Sequence, residues 1–418
     1  MKDKLARNPL PVVFFTVFVD LLGFGILIPV IPQLLANPAS SYFLLPSGIN
    51  SQQGYIILGF LTAIFPLMQF LAAPILGQLS DKVGRRKVLA FSLAGTCFSY
   101  ILFAIGIITR NIPLLFISRA ADGITGGNIA VAQAAIADVS TPQNRAKSFG
   151  LIGAAFGLGF ILGPFIGGKL SDPTLVSWFN AATPFWFAAA ISFLNVLSVL
   201  MFFPETLKVK QSALTINWSK SVENIKRAIS YKDLRTILSV VFLFQAGFTF
   251  FTTFFGVFMI KRLGYNQGNI GDFFAYIGLW IAFTQAVVVR RLSSRIDEVR
   301  LLKFTIILTG VMILCYYLTY MPWQLFLIGP FFAIFNGLSQ VHTTGLVSRS
   351  VSAEVQGEIL GINASVAALA QTIPPIISGF IAANIVAEAP ILVASSVIIV
   401  SGIIYVLFYK PAFHHIEE

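Results

Sequence analysis

Two oppositely charged residues lie inside an apolar segment, Leu115 to Asp138, and are the first candidates for chemistry in this chain. Arg119 and Asp122 are three residues apart, so on a helix they share a face and offset part of each other's desolvation. The same helical stripe continues to Gly126 and Gln133. A charge near the centre of a bilayer costs about 2.5–3.5 kcal/mol and commonly marks an ion or substrate pathway. The alternative is a salt bridge that only packs helices together.

A third charged residue, Asp20, lies about a third of the way along the first apolar segment. At that depth a short carboxylate does not easily reach the membrane surface, so we expect it to face a wet interior. The alternative is a carboxylate at the membrane edge that makes only a helix contact. Nearby Gly23, Gly25 and Pro29 favour close packing and a helix that bends.

The composition indicates a membrane protein with many spans. The 418 residues are 56% hydrophobic and 11% charged, with a mean hydropathy of +0.83, whereas soluble domains carry about 25% charged residues. The net charge of +11 comes from basic residues in the loops between spans, so it indicates membrane orientation rather than a nucleic acid partner. The sequence has no nucleotide-binding loop, metal-ligand cluster or nucleophile–base set, so we expect no cofactor, no metal site and no enzyme.

Apolar runs long enough to cross a bilayer fall into two sets of six. The runs are 11–36, 52–78, 87–108, 113–138, 146–170 and 183–203, then 234–260, 270–290, 301–320, 323–348, 356–383 and 390–409. We therefore predict an all-α protein with an N-terminal six-helix bundle at 1–203 and a C-terminal bundle at 234–418. Residues 204–233 are predicted to be a cytoplasmic linker whose amphipathic part, Trp218 to Ile229, lies along the membrane surface.

The two halves resemble each other at an offset of 211 residues. Four positions match without a gap, and the pairs are Gly126 with Gly337, Gly150 with Gly361, Pro164 with Pro375, and Gly168 with Gly379. Repeated halves with a site between them are the architecture of alternating-access carriers. Twelve spans put both termini on one side, and that side gathers 23 of the 28 Lys and Arg residues. The positive-inside rule places it in the cytoplasm.

The loop after the second span is the most specific motif. It reads GQLSDKVGRRKV from Gly77 to Val88. Glycines allow a tight turn, and Asp81 can accept hydrogen bonds from a helix N-terminus or an arginine. The stretch resembles the loop pattern of the major facilitator superfamily, which implies a latch that holds the cytoplasmic helix ends when the carrier opens outward. The implied latch residues are Gly77, Asp81, Gly84, Arg85 and Arg86, with Arg145 as a partner.

The equivalent loop in the second half, 290–295, lacks the aspartate and the glycine, so a second latch is not predicted. The fifth span carries GxxxGPxxGG, a pattern that resembles the antiporter signature of this superfamily and implies export by exchange. Its residues are Gly159, Gly163, Pro164, Gly167 and Gly168. Because small residues also let two helices touch closely, a packing role is the alternative.

The segment around Arg119 resembles a fourth-helix signature of proton-coupled exporters, in which an arginine serves the proton step. The resemblance implies that Asp20, Arg119 and Asp122 couple transport to protons. Overall the chain resembles the twelve-span drug:proton antiporters of the tetracycline-efflux type. Two departures stand out: Asp122 occupies a position that is often uncharged, and the third span, Ser92 to Ile108, lacks the acid of tetracycline exporters. The sequence therefore leaves open whether tetracycline with its metal is a substrate.

Uncharged polar side chains are the candidates for the substrate cavity, because amides can hold a ligand without fixing its charge. They are Gln133, Gln245, Asn336, Gln340, His342 and Gln371. His342 could titrate, although a lone histidine beside amides is more often structural. Most of the 41 phenylalanines are expected to contact lipid or the core, and a few in the cavity would suit aromatic or lipophilic substrates.

These patterns predict a major facilitator fold with two pseudo-symmetric six-helix bundles. The predicted function is a secondary transporter, a proton-coupled antiporter that exports small lipophilic or drug-like molecules by alternating access. We expect it to act as a monomer in the bacterial inner membrane, with its substrate, protons and the lipid bilayer as partners. A facilitator or proton-coupled importer of a metabolite is the nearest alternative. A membrane-embedded enzyme or receptor is a more distant one.

Overall fold

The computed structural model describes residues 8–46, 48–141, 144–207, 216–230, 232–293, 295–349 and 356–409. This part of the chain is helical and contains no β-strand. The first half comprises α1 Leu10–Leu35, α2 Ser51–Val83, α3 Arg85–Ile108, α4 Ile112–Thr125, α5 Asn128–Val139, α6 Arg145–Leu170 and α7 Thr183–Phe202. The linker contributes α8 Lys220–Ser230. The second half comprises α9 Lys232–Leu263, α10 Gln267–Phe283, a π-helical turn Thr284–Val289, α11 Arg290–Ser293, α12 Glu298–Tyr317, α13 Pro322–Arg349, α14 Gln356–Asn384 and α15 Ala389–Phe408.

Eleven helical segments of the described chain are long and apolar enough to cross a membrane. The twelfth predicted span, 113–138, is divided into α4 and α5, of 14 and 12 residues, by Gly126 and Gly127. A span needs about 20 helical residues, so the two short helices cross only as a pair. The predicted all-α fold class and the count of twelve spans are confirmed, while the residue boundaries of the two bundles remain predictions.

Local sequence signals explain where several helices begin and end. Asn50 accepts a hydrogen bond from the backbone of Gln53, whose side chain bonds back, and Asn266 does the same with Asn269. These capping boxes satisfy free backbone groups at the starts of α2 and α10. Gly84 ends α2 and begins α3 with a φ of +111°, a conformation that side chains with a Cβ rarely adopt.

We call the helix ends that meet at Gly84 the inner ends, and the opposite ends the outer ends. The two halves pack closely from their outer ends to about mid-depth, along α6 with α10 and along α2 with α14. A Cβ on Gly271 of α10 would lie 2.7 Å from the carbonyl of Pro164 and 3.2 Å from Gly168 Cα. A Cβ on Gly379 of α14 would lie 2.7 Å from the carbonyl of Tyr55 in α2.

Residues matched by the predicted sequence repeat form these outer contacts. Pro164 and Gly168 on α6 meet α10, and their repeat mates Pro375 and Gly379 on α14 meet α2. Helices separated by one repeat therefore make equivalent contacts across the boundary between the halves. The prolines and glycines of these two matched pairs are packing residues, because only small side chains allow backbones to approach this closely.

The hydrophobic core differs between the halves. In the first half one buried cluster lies toward the outer ends, with Leu22, Phe103 and Leu115, and a second lies toward the inner ends, with Leu89 and Val131. In the second half the described core is one continuous cluster rich in aromatic side chains. The gap between the two clusters of the first half holds the polar residues described next.

Candidate functional site

A polar layer separates the two hydrophobic clusters of the first half. It is built by five helices, and each contributes side chains at about the same depth. The layer contains Asp20 of α1, Gln69 of α2, Ser92, Thr96 and Tyr100 of α3, Arg119, Asp122 and Thr125 of α4, and Asn128 of α5. Because these residues lie far apart in the sequence, only the packing of the helices brings them together.

Arg119 and Asp122 form a buried ion pair at the centre of this layer. Arg119 Nη1 lies 2.5 Å from Asp122 Oδ2, and the two side chains are only 6% and 5% exposed. The guanidinium also stacks on the ring of Phe65, with Cζ 4.3 Å from the ring centroid. The predicted i, i+3 pairing is thus present. Its burial means that removing either partner leaves a costly charge behind.

Asp20 lies beside this pair and forms no salt bridge within the described chain. Its carboxylate oxygens are buried without a hydrogen bond of ordinary geometry, and the amide of Asn128 lies close enough to stabilise the charged carboxylate. Asp20 and Asp122 are close enough to repel each other when both are charged, and the Tyr100 hydroxyl lies within electrostatic range of both. The prediction that Asp20 accompanies the pair is correct for its position. The arginine bonds Asp122, however, and not Asp20.

The break between α4 and α5 falls inside the polar layer. Gly126 and Gly127 interrupt the backbone ladder, and the freed carbonyls find side-chain donors: Ser92 Oγ donates to Thr125 O, and Gln69 Nε2 donates to Gly126 O over 2.7 Å. Buried carbonyls within a membrane need such partners. The prediction that Gln133 lies on the same helix face as Arg119 required one unbroken helix. Because the helix is broken at Gly126 and Gly127, that prediction has no basis, and Gln133 is exposed on α5.

Three phenylalanines form an aromatic wall next to the ion pair. Phe24 of α1 lies 6.4 Å from Phe65 of α2 and 6.0 Å from Phe160 of α6, measured between ring centroids. All three rings are half-buried. On α1, Phe24 is one helical turn inward from Ile28, whose carbonyl faces Gly256 of α9 in the other half. The wall therefore lies just inward of the outer contact and faces the space between the halves.

The loop motif forms an ion-pair network inside the first half. Arg85 is buried and bonds Asp81 over 2.6 Å and Asp138, at the end of α5, over 3.1 Å. The backbone N–H of Arg85 donates to Glu205, which caps the start of α3. Thr206 donates to Asp138. The predicted pairing of Asp81 with an arginine is present. Sequence reasoning missed Glu205 and Asp138, although each is an acid at the end of an apolar run.

The other predicted latch residues have mixed outcomes. A Cβ on Gly84 would overlap the Glu205 carboxylate, so this glycine is needed for the turn as predicted. Gly77, in contrast, lies within α2 and a Cβ there would meet nothing within 4 Å, so the turn does not depend on it, and its part in the latch stays a prediction. Arg86 donates to the carbonyl of Leu200. Arg145 begins α6, but its side chain lies outside the described residues.

The fifth-span motif is a packing junction between three helices. Gly159, Gly163 and Gly167 face the α1 backbone, and Gly168 faces Gln267 and Gly271 of α10. Pro164 contacts Gly25 through its ring and Gly271 through its carbonyl. Beside the motif, Lys169 Nζ lies 2.9 Å from Asp272 Oδ2 and joins the outer ends of the two halves. The motif thus builds the outer contact, while its predicted role in exchange remains a prediction.

The second half supplies amides rather than charges. Gln340 donates to Gln245 over 3.2 Å, which joins α13 to α9. Asn336 is buried with its Oδ1 unbonded, and Gln371 is half-buried on α14. His342 Nδ1 lies 3.9 Å from the Glu298 carboxylate near the inner ends. Within the described chain, no cluster of three His, Cys, Asp or Glu residues could hold a metal ion.

Comparison with known proteins agrees with this architecture. The Major Facilitator Superfamily profile matches residues 13–373. The class H tetracycline resistance protein of Pasteurella multocida is 30% identical over 383 residues, which cover 88% of each chain. The quinolone resistance protein NorA of Staphylococcus aureus is 26% identical over 402 residues, or 96% of each chain.

The fold is also shared with solved structures. The crystal structure of the human organic anion transporter MFSD10 superposes with a TM-score of 0.72 at 23% identity, and the match covers 96% of this chain and 99% of that one. At this identity the likeness concerns the fold alone. Together with the profile match over most of its length, it shows that this chain is a multi-pass membrane transporter rather than an enzyme, and that it belongs to the Major Facilitator Superfamily.

Proposed function

We propose that this transporter is a proton-coupled antiporter that exports lipophilic, aromatic small molecules by alternating access. One observation carries the proposal: the Asp20 carboxylate is buried beside the Arg119–Asp122 ion pair and has no salt bridge of its own among the described residues. A buried carboxylate without a partner is costly when charged, and a bound proton removes that cost. The layer holds two acids and one arginine, and the arginine neutralises Asp122. The second acid, Asp20, is therefore the group that binds a proton when the site is closed to water and releases it when water enters.

Coupling follows when proton and substrate disfavour each other's bound state. The aromatic wall of Phe24, Phe65 and Phe160 is the proposed substrate contact, because it faces the space between the halves and adjoins Arg119. Phe24 is one turn from Asp20 on the same face of α1, so a substrate on the wall lies next to the proton-binding carboxylate. A cationic or dipolar substrate favours the deprotonated acid, which gives opposed fluxes.

The second half contributes uncharged contacts to the proposed cavity. Gln245 and Gln340 form an amide pair at the junction of α9 and α13. Asn336, Gln371, His342 and, on the first half, Gln133 remain candidates. Because an amide both donates and accepts, this side tolerates substrates of different charge. The names of the tetracycline and quinolone resistance proteins support drug-like substrates.

The orientation and organisation follow the sequence prediction. The inner ends carry most of the Lys and Arg residues, so we place them, with both termini, in the cytoplasm of a bacterial cell. The bundles at 1–203 and 234–418, joined by the linker at 204–233, form one transport unit that acts as a monomer. With the outer contact closed, the described conformation is the one that takes up substrate from the inner side.

The test is transport by purified protein in vesicles under an imposed pH gradient, with tetracycline and a quinolone as separate probes. We expect uphill movement of at least one probe in the unmodified protein and its loss in Asp20→Asn. Asp297→Asn is the matched control, because this exposed carboxylate caps the start of α12 and an asparagine keeps the cap. Undiminished uphill movement in both Asp20→Asn and Asp122→Asn would contradict the proposal, as would movement that ignores the gradient.

A further inference from the structure

The linker helix α8 lies between the two halves near their inner ends. Ser221 Oγ donates to the carbonyl of Phe70 in α2 over 2.5 Å, and Asn224 Nδ2 donates to Ser365 Oγ in α14 over 3.0 Å. Both side chains of α8 are buried, at 2% and 6% exposure. A single face of α8 therefore bonds the first half through one residue and the second half through the residue three positions later.

The alignment of facing residues along α2 and α14 indicates which contacts between these two helices α8 prevents. The two helices run antiparallel, and near the outer ends Tyr55 contacts Gly379 while Gly59 contacts Pro375. Continued inward by eleven residues, or about 16 Å, this register brings Phe70 opposite Ala364, the neighbour of Ser365. Phe70 and Ser365 are the two residues that α8 bonds. The linker helix occupies the place where the two helices would otherwise meet.

Within the described residues, no helix lies between α6 and α10 at the equivalent interface, and its inner surface is open. Gly168 on the outer part of α6 is covered by the α10 backbone, whereas a Cβ on Gly153 or Gly157, farther inward, would meet nothing within 4 Å. Gly361, on the inner part of α14, is open in the same way. Glycines suited to close helix contact are thus used at the outer ends and unused at the inner ends in this conformation.

We propose that α8 is a removable wedge that keeps the inner halves of α2 and α14 apart and must leave before they close over the site. Packed helices lie about 8–10 Å apart, so a helix between two others holds them at about twice that separation. Closure of the inner ends needs Phe70 and Ser365 to lose their bonds to α8. The linker is then part of the switching machinery and not a passive tether. The inference rests on alternating access, but not on protons or on any substrate.

Anchoring of α8 on both sides is consistent with this role. Asn217, just before the helix, exchanges hydrogen bonds with Gln78 of α2, and Ala228 and Ile225 join the core of the second half. Hydrogen bonds from Asn217 and Ser219 hold the pKa of Glu223 below its ordinary value, which keeps this helix start intact at neutral pH. The helix thus combines apolar packing on the second half with polar contacts to both halves that can be removed one at a time.

A reversible cross-link tests the wedge directly. In a background with Cys97→Ala and Cys315→Ala, the pair Asn224→Cys and Ser365→Cys should form a disulfide on oxidation. A third cysteine, Tyr55→Cys, replaces a side chain of α2 that is buried against Phe254 of α9, and its reaction with a hydrophilic maleimide reports opening of the outer ends.

In purified protein without substrate or pH gradient, we expect oxidation to slow labelling at position 55 at least tenfold and reduction to restore it. The variant with Asn224→Cys alone should not respond to oxidation. If labelling is equally fast with the disulfide formed, or if the pair does not oxidise in folded protein, the wedge is refuted. Because neither readout involves transport, this failure is distinct from failure of the proposed exchange.

Removal of the bonds gives the opposite effect. Ser221→Ala and Asn224→Ala should each speed labelling at position 55 about fivefold, which is the shift in equilibrium expected for one lost hydrogen bond. Ser230→Ala is the matched control, because among the described residues its hydroxyl bonds the carbonyl of Lys226 in the same helix. If neither loss of a bond to α2 nor loss of a bond to α14 changes the labelling rate, α8 does not limit closure.

Discussion

The buried ion pair leads to a prediction in which its two members are not equivalent. In Asp122→Asn the Arg119 guanidinium stays charged at every working pH, so the variant keeps an unpaired charge in the polar layer. Breaking a buried pair in this way costs about 3–5 kcal/mol. In Arg119→Gln the remaining Asp122 carboxyl can take a proton and become neutral. The cost of that variant is therefore limited by the cost of protonation.

The limit can be estimated from the ordinary behaviour of an aspartate. Protonating a carboxyl of ordinary pKa costs about 4 kcal/mol at pH 7 and about 1.5 kcal/mol at pH 5. We expect Arg119→Gln to cost no more than these amounts, so its defect shrinks as the pH falls. Asp122→Asn should lose about 3–5 kcal/mol at both pH values. The double variant leaves no buried charge unpaired and should be more stable than Asp122→Asn alone.

The assay is the free energy of unfolding of purified protein in detergent, measured by SDS titration at pH 7 and pH 5 for the unmodified protein, both single variants and the double variant. Asp272→Asn serves as a control for removal of an exposed acid. Equal losses in the two single variants at both pH values would refute the reasoning. So would a double variant whose loss is the sum of the single ones, because additivity means that the two residues do not interact.

Three further predictions concern stability. Gly84→Ala should cost about 1–3 kcal/mol because of its positive φ and the overlap with Glu205, whereas Gly77→Ala, in open space within α2, should be neutral or stabilise by up to about 1 kcal/mol in thermal unfolding. Glu205→Gln should cost about 0.5–2 kcal/mol by weakening the cap of α3, measured by the same method; an unchanged stability would exclude the cap. Lys169→Ala should cost under about 1 kcal/mol, because its pair with Asp272 is exposed, and a larger loss would contradict that estimate.

Much of the fold could be predicted from lengths and repeats. Apolar runs of sufficient length gave all twelve spans, because a bilayer of fixed thickness requires them. The match between Pro164 and Pro375, and between Gly168 and Gly379, also anticipated equivalent contacts, which the structure places at the outer ends. Close contact between two helix backbones requires small residues, so such contact sites can be recognised in the sequence without knowing which helix is the partner.

The interruption of the fourth span was not predictable in the same way. Glycines occur often in membrane helices, and nothing local to Gly126 and Gly127 requires a break. What stabilises the break is distant: Gln69 and Ser92 belong to other helices and bond the freed carbonyls. A stripe of residues at helical spacing is meaningful only while the helix is unbroken. Arg119 and Asp122 precede the break, so their shared face was predicted correctly. Gln133 follows the break, so its assignment to that face has no basis.

The network around Arg85 was partly missed for a related reason. The motif itself contains Asp81, four residues before the arginine, and this contact is local. Glu205 and Asp138 come from 120 and 53 residues away, and only packing brings them to the start of α3 and to the guanidinium. The available signal was weak: each is an acid just beyond or at the end of an apolar run, where a helix end or a basic loop can lie nearby.

The two halves are alike in their packing residues and unlike in their charges, and this difference has a mechanistic consequence. Proline and glycine recur at equivalent outer contacts, but the acids and the arginine of the polar layer have no charged counterparts in the described core of the second half, where Phe251, Phe255 and Tyr316 pack together. Symmetric packing lets both interfaces open and close by the same motion. Because the ionisable groups of the polar layer lie in the first half, a change in their protonation would act on that half first and would reach the second half through the interfaces that both share.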